Sequence, residues 1–369
     1  MTRTGARLVL DARMATDGGI GTYLQNVFPR VASARPDWSF TVLGDPATIQ
    51  ALGWPAIPNV AVRQCRSTYY TMSEQIELPL RAPRNMDLFW SPHYNVPVVA
   101  AAPLVVTVHD TCHLALQEST RGPLPRMYAS FMYRRINRHA RAILFDSEFT
   151  RNEMRRLLGE PRGRSTVAHL GVDADWWQNQ ATTPERPLAG PYLVYVGALK
   201  RHKNVPALLR AFARIRDRVP HRLVIVGRAA GLNVDPAIAG EAALLGDRVI
   251  LAGEVNATRL RQYVTHAEAL VTASLYEGFG LPPLEAMAAG RPCMVSAAGS
   301  LPEVCGDAAL YCDPRDETSI AQRLLEVATD KELQCALVRR GHERVRQFNW
   351  LRCADTTIDV LERALGARR

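Results

Sequence analysis

Residues 269–290 read ALVTASLYEGFGLPPLEAMAAG, an apolar run followed by a glycine-rich turn and a short apolar segment. The run 269–274 has the length and composition of a buried strand, whereas residues 284–289 predict a short helix. Gly278 and Gly280 allow the backbone between them to pass close to a ligand. Two consecutive prolines then fit a first helical turn, where a missing amide costs little. This order of strand, turn and helix predicts one unit of a parallel α/β sheet.

Two glutamates, Glu277 and Glu285, lie on either side of this turn. The start of the predicted helix would carry unpaired amides and partial positive charge, which favour an anion. Glu285 would lie about one turn inside the helix, within reach of a sugar or ribose hydroxyl, with Glu277 on the opposite side of the turn. An isolated pair of glutamates more often consists of solvated helix-cap carboxylates. The combination with the glycine turn favours a nucleotide-sugar site.

The same alternation of short apolar runs and longer helical segments extends over the whole chain, which predicts an α/β fold with parallel sheets. The predicted strands are residues 7–11, 39–43, 88–91, 104–109, 142–146, 166–168, 192–196, 222–226, 249–252, 269–273 and 293–296. Helices are predicted near the end of the chain at residues 318–328, 333–348 and 354–365.

The 369 residues exceed what one hydrophobic core usually holds, so two domains are expected. Residues 173–190 are polar and proline-containing, without clear periodicity, and are predicted to be the linker. The sequence therefore predicts two Rossmann-like domains, residues 1–172 and residues 191–350.

Composition restricts the partners and the compartment. The net charge of +9 is spread over both halves, so no nucleic-acid module is expected, and an anionic substrate or an anionic membrane surface explains it equally well. The seven cysteines form no Cys-x-x-Cys pair and are interpreted as reduced core residues of a cytosolic protein. The longest apolar tract, residues 96–108, is too short to span a bilayer, and no signal-peptide core is evident. We expect a cytoplasmic protein that is soluble or at most peripheral to the membrane.

Three further segments place candidate functional residues at the ends of predicted strands. Residues 17–23, DGGIGTY, form a glycine-rich turn that opens a helix, so Gly19, Ile20 and Gly21 are candidate contacts for a phosphate or sugar oxygen. His109 and its neighbour Asp110 end another strand. A lone histidine is more often structural, and the aspartate would serve as a cap or structural partner.

The third segment, residues 197–204, reads GALKRHKN and leads from a strand into a helix. A lysine between a glycine loop and a helix start is a good phosphate contact, because its charge and the helix dipole act together.

Together these motifs resemble the retaining GT-B glycosyltransferases of the family 4 type, which include bacterial mannosyltransferases and glucosyltransferases as well as glycogen synthases. Glu277 and Glu285 match the Glu-x7-Glu motif of that family. The resemblance covers nearly the whole chain. It implies the GT-B fold, two Rossmann-like domains facing each other across a cleft, with a terminal helix at about 352–366 that packs back on the first domain.

The resemblance also implies roles for individual residues. The implied catalytic residues are Glu277, His109 and Lys203. The implied substrate-binding residues are Gly19, Ile20, Gly21, Arg201, Arg228, Val255, Gly278, Phe279, Gly280, Leu281 and Glu285. The histidine would contact the transferred sugar, the lysine the diphosphate and Val255 the nucleotide base. Many members carry an arginine where this chain has Ala198, and either Arg201 or Arg228 would replace its charge.

The implied activity is transfer of a hexose, with retention at the anomeric carbon, from a nucleoside-diphosphate sugar to a saccharide or lipid-linked saccharide. The motif set is most similar to mannosyltransferases of O-antigen and exopolysaccharide synthesis, so GDP-mannose is the first expected donor. Two alternatives stay open, a sugar-nucleotide epimerase of the same fold and a non-catalytic nucleotide-sugar-binding protein.

No metal or other cofactor is expected. Asp173 and Asp175 form an Asp-x-Asp pattern, but no histidine or carboxylate cluster accompanies it, so it is interpreted as a non-metal segment. Lys203 and helix starts would then offset the charge of the leaving diphosphate.

Membrane contact depends on residues 125–141. On a helical projection Tyr128, Phe131, Met132 and Ile136 share one side. The opposite side carries Arg126, Arg134, Arg138 and Arg141, and Arg135 falls within the apolar arc. A packed helix with a solvated basic face is the favoured interpretation. Docking of this helix to anionic lipid, at the inner face of the cytoplasmic membrane, is the alternative.

Overall fold

The chain divides into two compact units. In the computed structural model, residues 5–99, 101–116, 123–178, 185–228 and 235–366 are described. The first unit comprises Met1–Gly171 and Trp350–Arg369, and the second comprises Val172–Asn349.

The first unit is built on a seven-stranded parallel sheet in the order β3-β2-β1-β4-β5-β6-β7. Its strands are β1 Arg7–Asp11, β2 Ser39–Gly44, β3 Val60–Gln64, β4 Leu88–Ser91, β5 Leu104–Val108, β6 Ala142–Phe145 and β7 Arg164–Val167. Its helices before the second unit are α1 Gly18–Ala34, α2 Pro46–Ala51, α3 Met72–Arg81, α4 Cys112–Ala115, α5 Pro123–His139 and α6 Glu148–Leu158. Every residue of β4, β5 and β6 is buried, because helices cover both faces of the central strands.

The second unit is built on a six-stranded parallel sheet in the order β10-β9-β8-β11-β12-β13. Its strands are β8 Tyr192–Val196, β9 Arg222–Val226, β10 Val249–Gly253, β11 Ala269–Val271, β12 Cys293–Ser296 and β13 Ala309–Cys312. Its helices are α7 Ala174–Gln178, α8 Val205–Ala213, α9 Pro236–Leu245, α10 Ala257–His266, α11 Leu281–Ala288, α12 Leu301–Cys305, α13 Glu317–Thr329 and α14 Lys331–Val345.

The last helix, α15 Trp350–Gly366, belongs to the first unit. It packs on α1, where the Arg35 guanidinium pairs with the Glu362 carboxylate. Arg141, which precedes β6, donates to the main-chain carbonyl of Ala364 at 2.9 Å. The chain therefore completes its first unit only after it has built the second.

Both sheets contain a point at which the strand order reverses. In the first unit it lies between β1 and β4, and in the second it lies between β8 and β11. Chain crossovers leave the sheet in opposite directions on the two sides of such a point, which opens a crevice at the carboxyl ends of the strands. Ligands of open parallel sheets bind there, so the topology alone marks one candidate site in each unit.

The predicted class of two Rossmann-like α/β domains is confirmed, and all eleven predicted strands correspond to observed strands. The edge strands β3 and β13 were not predicted. The segment predicted as a linker contains α7, where Trp177 is buried, and residues 179–184 of that segment lie outside the described part. The helix α11 begins at Leu281, so both prolines lie in its first turn as the sequence predicts.

Two composition-based predictions concern the cysteines and the membrane. In the described residues none of the seven cysteines forms a disulfide bond and six are buried, but Cys335 is exposed, so the core interpretation is wrong for that residue. Among the helices of the described residues, none combines the length and the apolarity that crossing a bilayer would require.

Candidate functional site

Lys203 and Glu277 meet in the second unit at the point where the strand order reverses. Lys203 follows β8, Glu277 follows β11, and these two strands are neighbours in the sheet. The lysine Nζ lies 2.6 Å from one carboxylate oxygen, and the hydroxyl of Ser274 donates to the other oxygen at 2.8 Å. The two side chains retain 20% and 14% of their exposure, so a ligand can reach them. The two predicted catalytic residues of this unit thus form one charged pair.

The loops that carry this pair are held together by hydrogen bonds to main-chain carbonyls. Asn204, in a left-handed conformation with φ 56°, ends the three-residue turn that contains Lys203. Its side-chain amide donates to the carbonyls of Ala273 and Pro314 at 3.0 and 2.8 Å. The amide of Leu275 donates to the carbonyl of His202 at 2.7 Å. Lys203 is therefore presented by a rigid turn.

A third loop, after β12, packs against the main chain of Glu277. Gly299 has φ 63°, and a Cβ at this position would lie 2.5 Å from the Glu277 carbonyl oxygen, so only glycine fits. The hydroxyl of Ser300 donates to the carbonyls of Glu277 and Phe279 at 3.1 and 2.8 Å. Neither Gly299 nor Ser300 was among the predicted site residues. A Gly-Ser pair at the carboxyl end of a strand was the signal that could have found them.

The start of α11 offers fewer amides than the sequence predicted. Gly280, with φ 101°, is the N-cap residue, and Pro282 and Pro283 have no N–H to donate. Among the described residues, the amides of Gly280 and Leu281 donate no hydrogen bond. The predicted anion site therefore reduces to two adjacent main-chain donors, three and four residues after Glu277.

Glu285 lies within α11 and is half-buried. Within the described part of the chain, no donor or cation reaches its carboxylate. Burial raises the pKa of Glu285 to about 7, because removal from water disfavours the charged form. An uncompensated carboxylate of this kind is a group that a ligand hydroxyl can satisfy.

The other predicted residues of this unit differ in position. Phe279 is only 4% exposed, and its ring packs edge-on against Phe348, so its side chain is part of the core and only its backbone can face a ligand. Arg201 is exposed, and Arg228 is exposed with its guanidinium 4.0 Å from the Glu254 carboxylate.

The other three predicted residues lie in segments that follow strand ends. Gly278 and Leu281, on either side of the turn after β11, are half-buried. Val255 is also half-buried, and it follows β10, the edge strand two positions from β8.

In the first unit, His109 follows β5 and makes two hydrogen bonds. Its Nδ1 lies 2.6 Å from the Asp146 carboxylate, and its Nε2 lies 2.8 Å from the carbonyl oxygen of Pro92. Both partners only accept hydrogen bonds, so the geometry fits an imidazolium that donates from both nitrogens. Burial lowers the pKa of His109, but the neighbouring Asp146 carboxylate outweighs it, and the net pKa is raised.

The carboxylate that pairs with His109 is thus Asp146, which the sequence did not identify as functional. Asp110 instead accepts from the amide of Cys112 at 2.8 Å and stabilises the start of α4. The prediction of a structural role for Asp110 as a cap agrees with this contact. Asp146 directly follows β6, the neighbour of β5, and an acid at that strand end was the available signal.

The glycine-rich turn after β1 forms the first turn of α1. Gly21 is buried, and a Cβ there would lie 2.9 Å from the carbonyl carbon of Thr16, so this glycine is required by packing. Gly19 is exposed, and a Cβ added to it would meet no atom within 4 Å, whereas Ile20 is half-buried. Of the three predicted contacts, Gly19 is the one that leaves open space for a ligand.

A buried carboxylate, Glu74, forms a second network in the first unit. Arg13 donates to it at 2.9 Å, Tyr128 donates to it at 3.0 Å and the Asn95 side-chain amide also donates to it. Arg13 pairs in addition with Asp11 at the end of β1. This network joins β1, α3 and α5, and nothing in the spacing of these residues predicted it.

The segment with Asp173 and Asp175 leads into α7. The Asp173 carboxylate accepts from the amide of Trp176 at 3.1 Å and caps this helix. Over the described ranges, no group of three or more His, Cys, Asp or Glu side chains is arranged to hold a metal ion.

Comparisons with known proteins give a consistent result. The family described as Glycosyltransferase Family 4 matches residues 18–176, and the family described as Glycosyl transferases group 1 matches residues 179–344. The O-antigen chain mannosyltransferase B of Escherichia coli is 31% identical over 267 residues, which are 69% of this chain and 69% of that protein. Glycogen synthase of Mycobacterium tuberculosis is 30% identical over 274 residues, which are 72% of this chain and 64% of that protein.

Solved structures share the fold over nearly the whole chain. Sucrose-phosphate synthase from Thermosynechococcus elongatus has a TM-score of 0.76 at 21% identity and covers 98% of this chain and 100% of its own. Anabaena HepE in complex with UDP and glucose has a TM-score of 0.74 at 17% identity, with 97% and 100% covered. With both halves matched and a relative of 31% identity covered over 69% of its length, this chain belongs to the GT-B glycosyltransferases, with a family 4 first half and a group 1 second half.

Proposed function

We propose that the protein transfers a hexose, with retention at the anomeric carbon, from a nucleoside-diphosphate sugar to a saccharide or lipid-linked saccharide. The observation that carries this proposal is the Lys203–Glu277 pair, held at the reversal point of the second sheet, and the same turn that follows Glu277 carries two main-chain amides that have no acceptor among the described residues. A cation beside unpaired amides suits a diphosphate, and an adjacent carboxylate suits sugar hydroxyls.

The strand ends define how a donor would lie. Lys203 and the amides of Gly280 and Leu281 would take the diphosphate, with Arg201 or Arg228 as the second cation. Val255 lies two strands away from β8, about 10 Å at the usual strand spacing, and its backbone would meet the nucleotide base. Glu285 would accept from the ribose hydroxyls, which would compensate its buried charge.

The proposed chemistry is electrostatic. When the bond to the leaving diphosphate breaks, negative charge grows on the phosphate oxygens, and Lys203 with the α11 amides would stabilise that charge. The acceptor hydroxyl would attack from the face of the leaving group, and a donor phosphate oxygen would take its proton. Glu277 is held by Lys203 and Ser274, so it would orient the donor sugar instead of acting in an acid/base pair.

A catalytic role is also proposed for His109 of the first unit, on the basis of the family resemblance and of its charged form. Both of its ring nitrogens face hydrogen-bond acceptors, which favours the imidazolium form. A neutral histidine has only one N–H and could not donate both hydrogen bonds. We further propose that the reaction needs no metal ion. Transfer that is unchanged by a chelator would support this proposal, and activity restored only by added divalent metal would contradict it.

GDP-mannose is the proposed donor. The support comes from two relatives, the O-antigen chain mannosyltransferase B at 31% identity and an MMP alpha-(1->4)-mannosyltransferase from Mycolicibacterium hassiacum at 30% identity. The acceptor would be a growing cell-surface polysaccharide, and the enzyme would work in the cytoplasm at the inner face of the membrane.

A donor panel tests the proposal. Thermal unfolding is measured with GDP-mannose, UDP-glucose, UDP-galactose, UDP-N-acetylglucosamine and dTDP-rhamnose, since a ligand at a hundred times its Kd adds about 2.7 kcal/mol of stability. Stabilisation by GDP-mannose alone is expected. Stabilisation by a uridine donor alone would overturn the mannose assignment.

The reaction products test the transfer itself. With donor and acceptor together, NMR should show a product that has the same anomeric configuration as the donor sugar. Conversion of the donor sugar without any acceptor would identify an epimerase. Donor binding without any turnover would identify a binding protein.

A further inference from the structure

Two helices of the first unit expose rows of large apolar side chains. On α3, Met72, Ile76 and Leu80 are 75%, 66% and 76% exposed. On α5, the exposed apolar residues are Leu124, Met127 and Phe131, at 75%, 66% and 51%. The spacings of four residues on α3, and of three and four on α5, place each row on one side of its helix.

Both rows face away from the hydrophobic core. Leu78 of α3 and Met132 and Ile136 of α5 belong to the same buried cluster, and each lies on the side of its helix opposite the exposed row. At 100° per residue, the centre of each row is about 160° from the centre of the buried side, which is Leu78 on α3 and Ala129, Met132, Tyr133 and Ile136 on α5. The two helices therefore rest on one core and turn their apolar rows outward.

The two helices are also joined to each other. The Tyr128 hydroxyl of α5 donates to the Glu74 carboxylate of α3 at 3.0 Å and accepts from the Gln75 side-chain amide at 3.3 Å. We refer to the six exposed residues on this connected pair of helices as the apolar surface. Six large apolar side chains exposed in two rows on connected helices differ from the singly scattered apolar residues of an ordinary surface and are typical of a docking site.

The charges around the apolar surface indicate what it docks to. The row on α5 continues along the same side of the helix into Arg134 and Arg138, which are exposed. The whole of α5 contains no Asp or Glu. The acids of α3 are occupied, since Glu74 is buried against Arg13 and Glu77 accepts from the amides of Arg66 and Ser67.

The exposure of Phe131 corrects the sequence-based interpretation of α5. Phe131 was assigned to the packed side of the helix, but it lies on the same side as Arg134 and Arg138, because Ala129, Met132 and Ile136 occupy the core. The outer side of α5 is thus apolar in its first half and basic in its second half. A helix with this pattern binds in the headgroup region of a bilayer, with its apolar residues among the acyl chains and its arginines at anionic headgroups.

We propose that the apolar surface docks the protein on a bilayer that carries anionic headgroups. A self-contact between two copies is disfavoured, since it would bring the arginines of two α5 helices together. The inference deepens the proposed function, because a lipid-linked acceptor would be met at this surface. Docking itself is measured without donor or acceptor, so its failure and that of the proposed transfer are separable.

The test is co-sedimentation of the full chain with vesicles. Vesicles of phosphatidylcholine alone are compared with vesicles that also contain phosphatidylglycerol, at low and at high salt. Binding is expected only with phosphatidylglycerol and should weaken as salt rises, because screening reduces the contribution of the arginines.

Single substitutions locate the contact. Leu80→Gln should weaken binding about tenfold, which corresponds to loss of most of one buried leucine. The matched control is Leu244→Gln on α9 of the second unit, since Leu244 is 77% exposed and lies outside the surface. Arg138→Gln should reduce the salt dependence, whereas Arg352→Gln, an exposed arginine of α15, should not.

Three results would overturn the proposal. These are no binding of the wild type to phosphatidylglycerol vesicles at low salt, equal binding of the Leu80 and Leu244 variants, and a concentration-dependent dimer that Leu80→Gln dissociates. The last result would assign the surface to a second copy of the chain. Thermal stabilisation by donor is recorded for each variant and is expected to be unchanged, because no substituted residue lies in the donor site.

Discussion

At the scale of single residues, Glu285 combines burial, a raised pKa and, among the described residues, no partner. The folded state holds its proton up to about pH 7, whereas the unfolded chain releases it near pH 4.5. Folding is therefore penalised progressively as the pH rises from 4.5 to 7, and the penalty is complete above pH 7. A carboxylate kept at this cost in the proposed donor site is expected to act in binding and not in stability.

Glu285→Gln should raise the free energy of unfolding by about 1–2 kcal/mol at pH 8, after allowance for the water that reaches a half-buried group. Well below pH 4.5, at about pH 3, the variant and the wild type should be equally stable, because both side chains are then neutral in both states. Chemical denaturation at the two pH values measures this difference. The same variant should bind donor more weakly, and an equal stability change at both pH values would show that the charge is not the cause.

Glu277 and Lys203 are expected to affect different kinetic constants. Glu277→Gln keeps the side-chain size but removes the charge that orients the donor sugar, so kcat should fall about 100-fold or more with a smaller change in KM. Lys203→Ala should weaken donor binding as well, since it removes a phosphate contact. Steady-state kinetics separates the two, with Glu303→Gln at the start of α12 as the control. A wild-type kcat in Glu277→Gln would show that Glu277 does not belong to the proposed site.

At the scale of elements, strand prediction succeeded for the central strands and missed one of the two edge strands of each sheet, β3 and β13. The central strands β4, β5 and β8 are nearly continuous apolar runs, because helices cover both of their faces. The edge strand β3 reads VAVRQ and has no fully buried residue, so it lacks such a run. Only the neighbouring strand β2, which supplies its hydrogen bonds, makes this segment a strand.

The helix α15 packs on α1, which lies more than 300 residues earlier in the chain, and this packing should contribute to the stability of the first unit. Leu361 is fully buried in the first unit, so Leu361→Ala should lower the free energy of unfolding by about 2–5 kcal/mol. Leu351→Ala, on the same helix at 61% exposure, should change it by less than about 0.5 kcal/mol. Urea denaturation followed by circular dichroism compares them. Similar losses in both variants would mean that α15 is not packed through its buried side.

At the scale of the whole molecule, each unit has its own core and its own point of strand reversal. The nucleotide-binding groups proposed here all lie in the second unit. Hydrogen exchange of the full chain with saturating GDP should therefore slow in residues 197–204 and 277–285, whereas exchange in the core strands of the first unit should stay unchanged. Protection confined to the first unit would place the nucleotide elsewhere.

The sequence by itself determined the α/β class and the family, and it supplied the candidate site residues, because strand and helix periodicity and the Glu-x7-Glu motif are local properties. Only the tertiary structure decided which of these side chains meet. Lys203 pairs with Glu277 and His109 with Asp146 because β8 adjoins β11 and β5 adjoins β6, and strand order follows from long-range packing. The exposure of Phe131 was likewise decided by the side on which α5 meets the core. Helical spacing defines which residues share a face, but the neighbouring elements determine which face is buried.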